Sequence, residues 1–178
     1  RAAAKVNPRD ALLVHLSEAL ELEARRRIKI GDFKGGAKCY ENLLSFSAEK
    51  ARSHYGLAYC LRANGDNETA YLHFVRAVAA APEQTGYRTE LAQVALTIGE
   101  FAVADRQYQE ALKREPDNPD FLFWYAKGLA YKDRPDKKMA QALKLAERAC
   151  VLTGWKNPEY TYGLADLYMD AGRVMEGM

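Results

Sequence analysis

The sequence predicts an all-α fold, an array of antiparallel helical hairpins, and three observations carry that expectation. A 34-residue period runs through several columns at once. Gly and Pro recur at fixed offsets within the period. No stretch shows the sustained polar–apolar alternation that a half-buried strand requires.

Ala24, Ala58, Ala92 and Ala126 each stand 34 residues apart. Gly31, Gly65 and Gly99 keep that interval, as do Gly36, Ala70 and Ala104, then Tyr40, Phe74 and Tyr108, and Pro82 and Pro116. Each period reads as a helix, a turn at Gly-Asp or Gly-Glu, a second helix, and a turn that often holds Pro. Gly supplies the left-handed backbone that ends a helix. Pro stops the second helix because it lacks an N–H and disfavours helix in the residue before it. Small residues in the Ala24 and Ala70 columns let two backbones approach, and the Tyr40 column fills space between hairpins.

Taken in order, the first helix is expected over 8–30. Asn7 serves as N-cap, Pro8 takes the first helical position and Asp10 the first turn. Leu13, Leu16 and Leu20 give it an apolar stripe. Helices follow at 34–46, 51–63, 67–80, 85–97, 101–114, 119–132, 138–152 and 158–171. Ala142, Ala146 and Ala149 lie 38 rather than 34 residues beyond their counterparts, so the turn at Asp133–Lys137 is longer. Residues 1–16 read as an extension of the first helix. Four repeats (17–50, 51–84, 85–118 and 119–157) come next, then a partial fifth repeat or capping helix over 158–178.

The columns resemble the tetratricopeptide repeat family. Residues 51–84 match its pattern at His54, Leu57, Ala58, Leu61, Ala70, Phe74, Ala77 and Pro82. Residues 85–118 match at Leu91, Ala92, Ala95, Ala104, Tyr108, Ala111 and Pro116, with Arg88 departing from the bulky first slot. In the first repeat, Glu23 and Arg27 occupy slots that the family usually fills with apolar residues. The resemblance implies a right-handed α-solenoid, a superhelix whose first helices line a concave groove. Its groove stripe carries Arg25 with Lys29 beside it, then Arg52, Tyr55, Tyr59 and Arg62, then Thr89 and Gln93, then Phe123, Lys127 and Tyr131, and last Tyr162. These are the expected partner-binding residues. Aromatics and Arg are the types that most often anchor interfaces. Tyr55 and Tyr59 are expected to stack on one helix face and to point away from the core.

The implied function is a non-catalytic scaffold that binds a protein or peptide segment in the groove. Two alternatives follow from the same resemblance: a dedicated secretion-type chaperone, and a regulatory region of a larger multidomain protein. Chaperone-adaptor members clamp a terminal carboxylate with Lys, Asn and Arg. Here Tyr55 and Tyr59 stand in the Lys and Asn slots, and Gly86 and Glu90 fail the rest, so a chaperone tail is not the expected ligand.

Enzymatic chemistry finds no motif. His15, His54 and His73 are scattered singly, which fails zinc spacing, so no metal or cofactor is expected. Gly31-Asp-Phe-Lys-Gly-Gly36 lacks phosphate-loop spacing and a preceding strand. The run Arg25-Arg26-Arg27 is diluted by Glu18, Glu21 and Glu23, and the net charge is only +2, so nucleic acid is not an expected partner. No apolar run approaches the roughly 20 residues of a membrane helix, so no membrane partner is expected. Cys39, Cys60 and Cys150 read as buried thiols, in keeping with a reducing compartment. The resemblance to bacterial tetratricopeptide proteins implies a bacterial-type cytoplasm. Residues 172–178 resemble the turn into another second helix. Leu164, Leu167 and Tyr168 would then be exposed, and the chain is expected to continue or to meet another chain there.

Overall fold

The structure is a computed structural model that describes residues 7–46 and 50–172. These residues form nine helices: α1 (Pro8–Lys29), α2 (Phe33–Phe46), α3 (Lys50–Ala63), α4 (Asn67–Ala80), α5 (Thr85–Thr97), α6 (Phe101–Arg114), α7 (Pro119–Leu129), α8 (Met139–Leu152) and α9 (Pro158–Asp170). No strand occurs among the described residues. None of the described helices is long and apolar enough to cross a membrane.

The helix ends follow local chemistry. Asn7, Asp66, Asn118 and Asn157 each accept a backbone N–H from the first turn that follows, satisfying donors that have no partner inside the helix. At the other end, Gly31, Gly65 and Gly99 take φ of 81°, 87° and 84°. The next residue's N–H then reaches back five residues: Asp32 to Arg27, Asp66 to Leu61 and Glu100 to Ala95. A side chain at those φ values would be strained, which explains the glycine column. The end of α8 uses the same device with Gly154 (φ 59°), and Trp155 follows it at φ 61° with its N–H on the Cys150 carbonyl.

The helices group into two compact units that divide between Tyr87 and Arg88. In the first, α1 packs on α2, α2 on α3, and α3 on α4. Its core gathers Ala24, Ala37, Cys39, Tyr40, Leu43, Leu57 and Cys60. A Cβ at Gly36 would lie 3.1 Å from Cys60 Sγ, so the small-residue column does bring helices close. In the second, α6 packs on α7, α7 on α8, and α9 on both α7 and α8. Tyr108 and Tyr125 stack at 5.4 Å within it. All three cysteines are free and buried, and burial raises their thiol pKa values, that of Cys60 to about 11.

Two expectations need correction. Helix α7 ends at Leu129, not 132. The longer turn is pinned by Arg134, whose side chain is 2% exposed. Its guanidinium donates to both Asp105 oxygens at 2.8 and 2.6 Å and to Asp136 at 2.9 Å. Those carboxylates hold its pKa above the usual arginine value. The Lys138 N–H then caps the Leu129 carbonyl at 3.1 Å.

The second correction concerns the expected bare face of α9. Leu164 and Leu167 are buried, and Tyr168 is half-buried with its hydroxyl on Glu147. Tyr160, Gly163, Leu164 and Leu167 recur at helical spacing, and that stripe turns inward. Tyr162 and Met169 take the outward side instead. The expected opening of a further helix at 173–178 lies outside the described residues, as do residues 1–6 of the expected N-terminal extension.

Candidate partner-binding cleft

The first unit holds a cleft of about 340 Å³. Glu21, Arg25 and Ile28 line it from one face of α1, because spacings of four and three keep side chains on one stripe. Arg52, Tyr55, Gly56 and Tyr59 line it from α3, Tyr40 from α2, and Tyr87 from the start of α5.

Gly56 makes the floor. A Cβ there would sit 2.2 Å from Cζ of Tyr40, so only glycine lets that ring lie against α3. Burial raises the Tyr40 phenol pKa. Tyr55 stacks on Tyr87, with centroids 4.5 Å apart and ring planes at 22°, and meets the buried Phe74 edge-on at 5.7 Å. Tyr59 faces Phe33 at 6.4 Å, and the Arg62 guanidinium lies 5.7 Å from its centroid and 5.9 Å from that of Phe74. The expectation that both tyrosines point clear of the core thus fails for Tyr55, which rests on a core ring.

The rim is positive. Glu21 receives Arg25 at 2.5 Å and Arg52 at 3.4 Å. The Arg25 side chain is largely exposed, and such a pair is worth about 1 kcal/mol or less, so an incoming anion competes easily for that guanidinium. A second depression of about 290 Å³ adjoins the first and shares Arg52 and Tyr87 with it. Lys50 and Gln84 add polar groups there. Lys29 is exposed at the end of α1 and does not line the cleft.

Several expected residues of the second unit pack rather than stand free. Phe123 is 1% exposed, so it is packing rather than a free anchor. Its ring lies on Gly163, where a Cβ would be 2.4 Å from Cζ, and beside Tyr160 at 4.7 Å. The Tyr160 hydroxyl donates to Asp120, and burial raises its pKa. Thr89 is likewise buried and offers no free surface, while Gln93 is partly covered. Lys127 Nζ lies 5.7 Å from the Phe123 centroid and 5.9 Å from that of Trp124. Tyr131 leans toward Phe101 at 6.4 Å, and Tyr162 stands 74% exposed.

Tyr87 and Tyr40 were missed as cleft residues. Tyr87 sits one position off the stripe that Gly86 occupies, and Tyr40 belongs to a column that also fills the core. The pairing of His54 with His73 was invisible as a spacing within one helix, because it joins two helices. Among the described residues, no group of three or more His, Cys, Asp and Glu side chains could hold a metal ion.

Paired helices with this geometry are found in solved structures. The 41-to-end portion of MamA from Desulfovibrio magneticus RS-1 superposes with a TM-score of 0.77 at 12% identity, covering 91% of this chain and 89% of that one. A putative kinesin light chain from Podosopora anserina, with nearly identical TPR-like repeats, gives a TM-score of 0.75 at 17% identity, covering 92% and 91%. Such likeness establishes the fold as an all-α solenoid of helical hairpins. A family model described as tetratricopeptide repeat matches residues 21–85 and 89–154. The chain belongs to the tetratricopeptide repeat family. No curated protein sequence matches it significantly.

Proposed function

We propose that this chain is a non-catalytic interaction module whose first unit holds an extended segment of a partner protein. The observation that carries the reading is the tyrosine-walled, arginine-rimmed cleft and its continuation past Arg52 and Tyr87. The favoured ligand is a peptide with an apolar or aromatic side chain for the tyrosine walls and a carboxylate for Arg25 and Arg52. A guanidinium meets a carboxylate through parallel N–H donors, which fixes direction as well as affinity. Arg62 holds the Tyr59 ring and orients it rather than meeting the ligand first.

Peptide-display selection against the full chain, followed by calorimetry on the winning sequence, tests the reading. The selected peptide should carry acidic and aromatic residues and weaken steeply with salt. Tyr59→Ala should cost about 2 kcal/mol of binding, roughly thirtyfold. Unchanged affinity in both Tyr59→Ala and Arg25→Ala/Arg52→Ala would place the binding surface elsewhere.

A further inference from the structure

His54 on α3 and His73 on α4 lie 19 residues apart in sequence, and the hairpin brings their Nδ1 atoms to 3.0 Å. The ring centroids are 5.1 Å apart, so the two nitrogens face each other across the hairpin. At that distance one Nδ1 must carry a hydrogen and the other must accept it. Two bare lone pairs would repel, and so would two N–H groups. The contact therefore holds while one Nδ1, and only one, carries a proton.

The surroundings favour the neutral form. Both rings are half-buried. Burial lowers both pKa values first. Arg76 on α4 then acts against both protonated rings, and Lys50 on α3 acts against that of His54. Among the described residues, Glu41 on α2 acts the other way and favours a charged His73. The two cationic neighbours also disfavour a metal ion between the rings.

The slot itself does not demand histidine. One repeat later the same two positions hold Arg88 and Gln107, hydrogen-bonded at 3.0 Å. One repeat earlier they hold Leu20 and Cys39. A titrating pair is thus particular to the hairpin that carries the tyrosine cleft.

We propose that His54 and His73 form an acid-sensitive latch on the α3–α4 hairpin, closed when the pair shares one proton and forced apart when both rings are charged. The sign follows from linkage. Both folded pKa values lie below the unfolded value of about 6.5. The latch's stability is therefore complete above about pH 6.5 and is lost as pH falls from there through the folded values. Helix α3 carries Tyr55 and Tyr59, and α4 carries Phe74 beneath Tyr55, so opening the hairpin would loosen the cleft. That last consequence rests on the proposed function; the latch does not.

Urea unfolding of the full chain at pH 7.5 and 5.5 tests the latch, with His54→Leu/His73→Leu as the non-titrating comparison. The wild type should lose stability on acidification about tenfold in unfolding constant for each pH unit by which the pair's titration is displaced. The double variant should lose clearly less. Equal losses in the two proteins would overturn the proposal. Should the variant fail to fold, imidazole NMR titration of the wild type decides. The His54 and His73 rings should titrate below a histidine in an unstructured peptide, and equal midpoints would overturn the latch. Release of the selected peptide at pH 5.5 from the wild type but not from the double variant joins the latch to the cleft. A latch that titrates as expected without such release would overturn the coupling of latch to cleft and leave the latch standing.

Discussion

Gly56 of α3 and Gly163 of α9 occupy one repeat slot, each followed by Leu-Ala, and each receives an aromatic ring. The guests differ. Gly56 takes Tyr40 from the second helix of the preceding hairpin, whereas Gly163 takes Phe123 from a first helix. In the first unit, the α3 aromatics Tyr55 and Tyr59 therefore stay at the cleft wall. In the second, Phe123 in Tyr55's slot sinks into the notch at Gly163 and does not stand as a wall. An aromatic at a groove position is thus an anchor or a core residue according to what lies opposite, not according to its place in the repeat.

Truncating the sunken ring should have the largest effect. Phe123→Ala is expected to cost about 3–5 kcal/mol of stability, read by urea denaturation, because it empties a fully buried site. It should leave peptide affinity at the cleft unchanged in the folded fraction. Next comes Arg134→Met, at about 3 kcal/mol, since Asp105 would keep only Lys138 in a mostly buried position. That loss would confirm that an ion pair, not glycine, closes the longer turn.

Filling the two notches sharpens the comparison. Gly56→Ala and Gly163→Ala each push a methyl group into a ring, costing about 1–3 kcal/mol. Ala's better helix propensity returns about 1 kcal/mol of that. Only Gly56→Ala should also weaken cleft binding, because Tyr40 must move. Equal binding losses in both would break the distinction between the units. The smallest stability change is expected for Tyr59→Ala, under about 1 kcal/mol by thermal melting, against a large loss of affinity. A melting change as large as that of Phe123→Ala would make Tyr59 core.

Hairpin positions were legible because their causes are local. Asn caps, Pro starts and Gly stops each act within one turn, and the 34-residue columns repeat them. The end of α7 was not legible, because Arg134 finds Asp105 29 residues away. The inward face of α9 was not legible, because spacing along one helix does not show that packing on α7 and α8 already buries Leu164 and Leu167. Phe123 was misplaced for the reason given by Gly163: period alone places a side chain on a stripe but says nothing about the depth of the surface it meets. The His54–His73 contact follows from the hairpin register and could have been read from the fixed 19-residue offset between paired helices.

The chain has two tryptophans, Trp124 and Trp155, and both lie in the second unit. The cleft of the first unit is walled by Tyr40, Tyr55, Tyr59 and Tyr87 and contains no indole. Fluorescence excited selectively in indole therefore arises in the second unit alone. Trp155 is 56% exposed, so a partner touching that joint would shift or quench the emission at once. The two units differ in optical signature as they differ in surface.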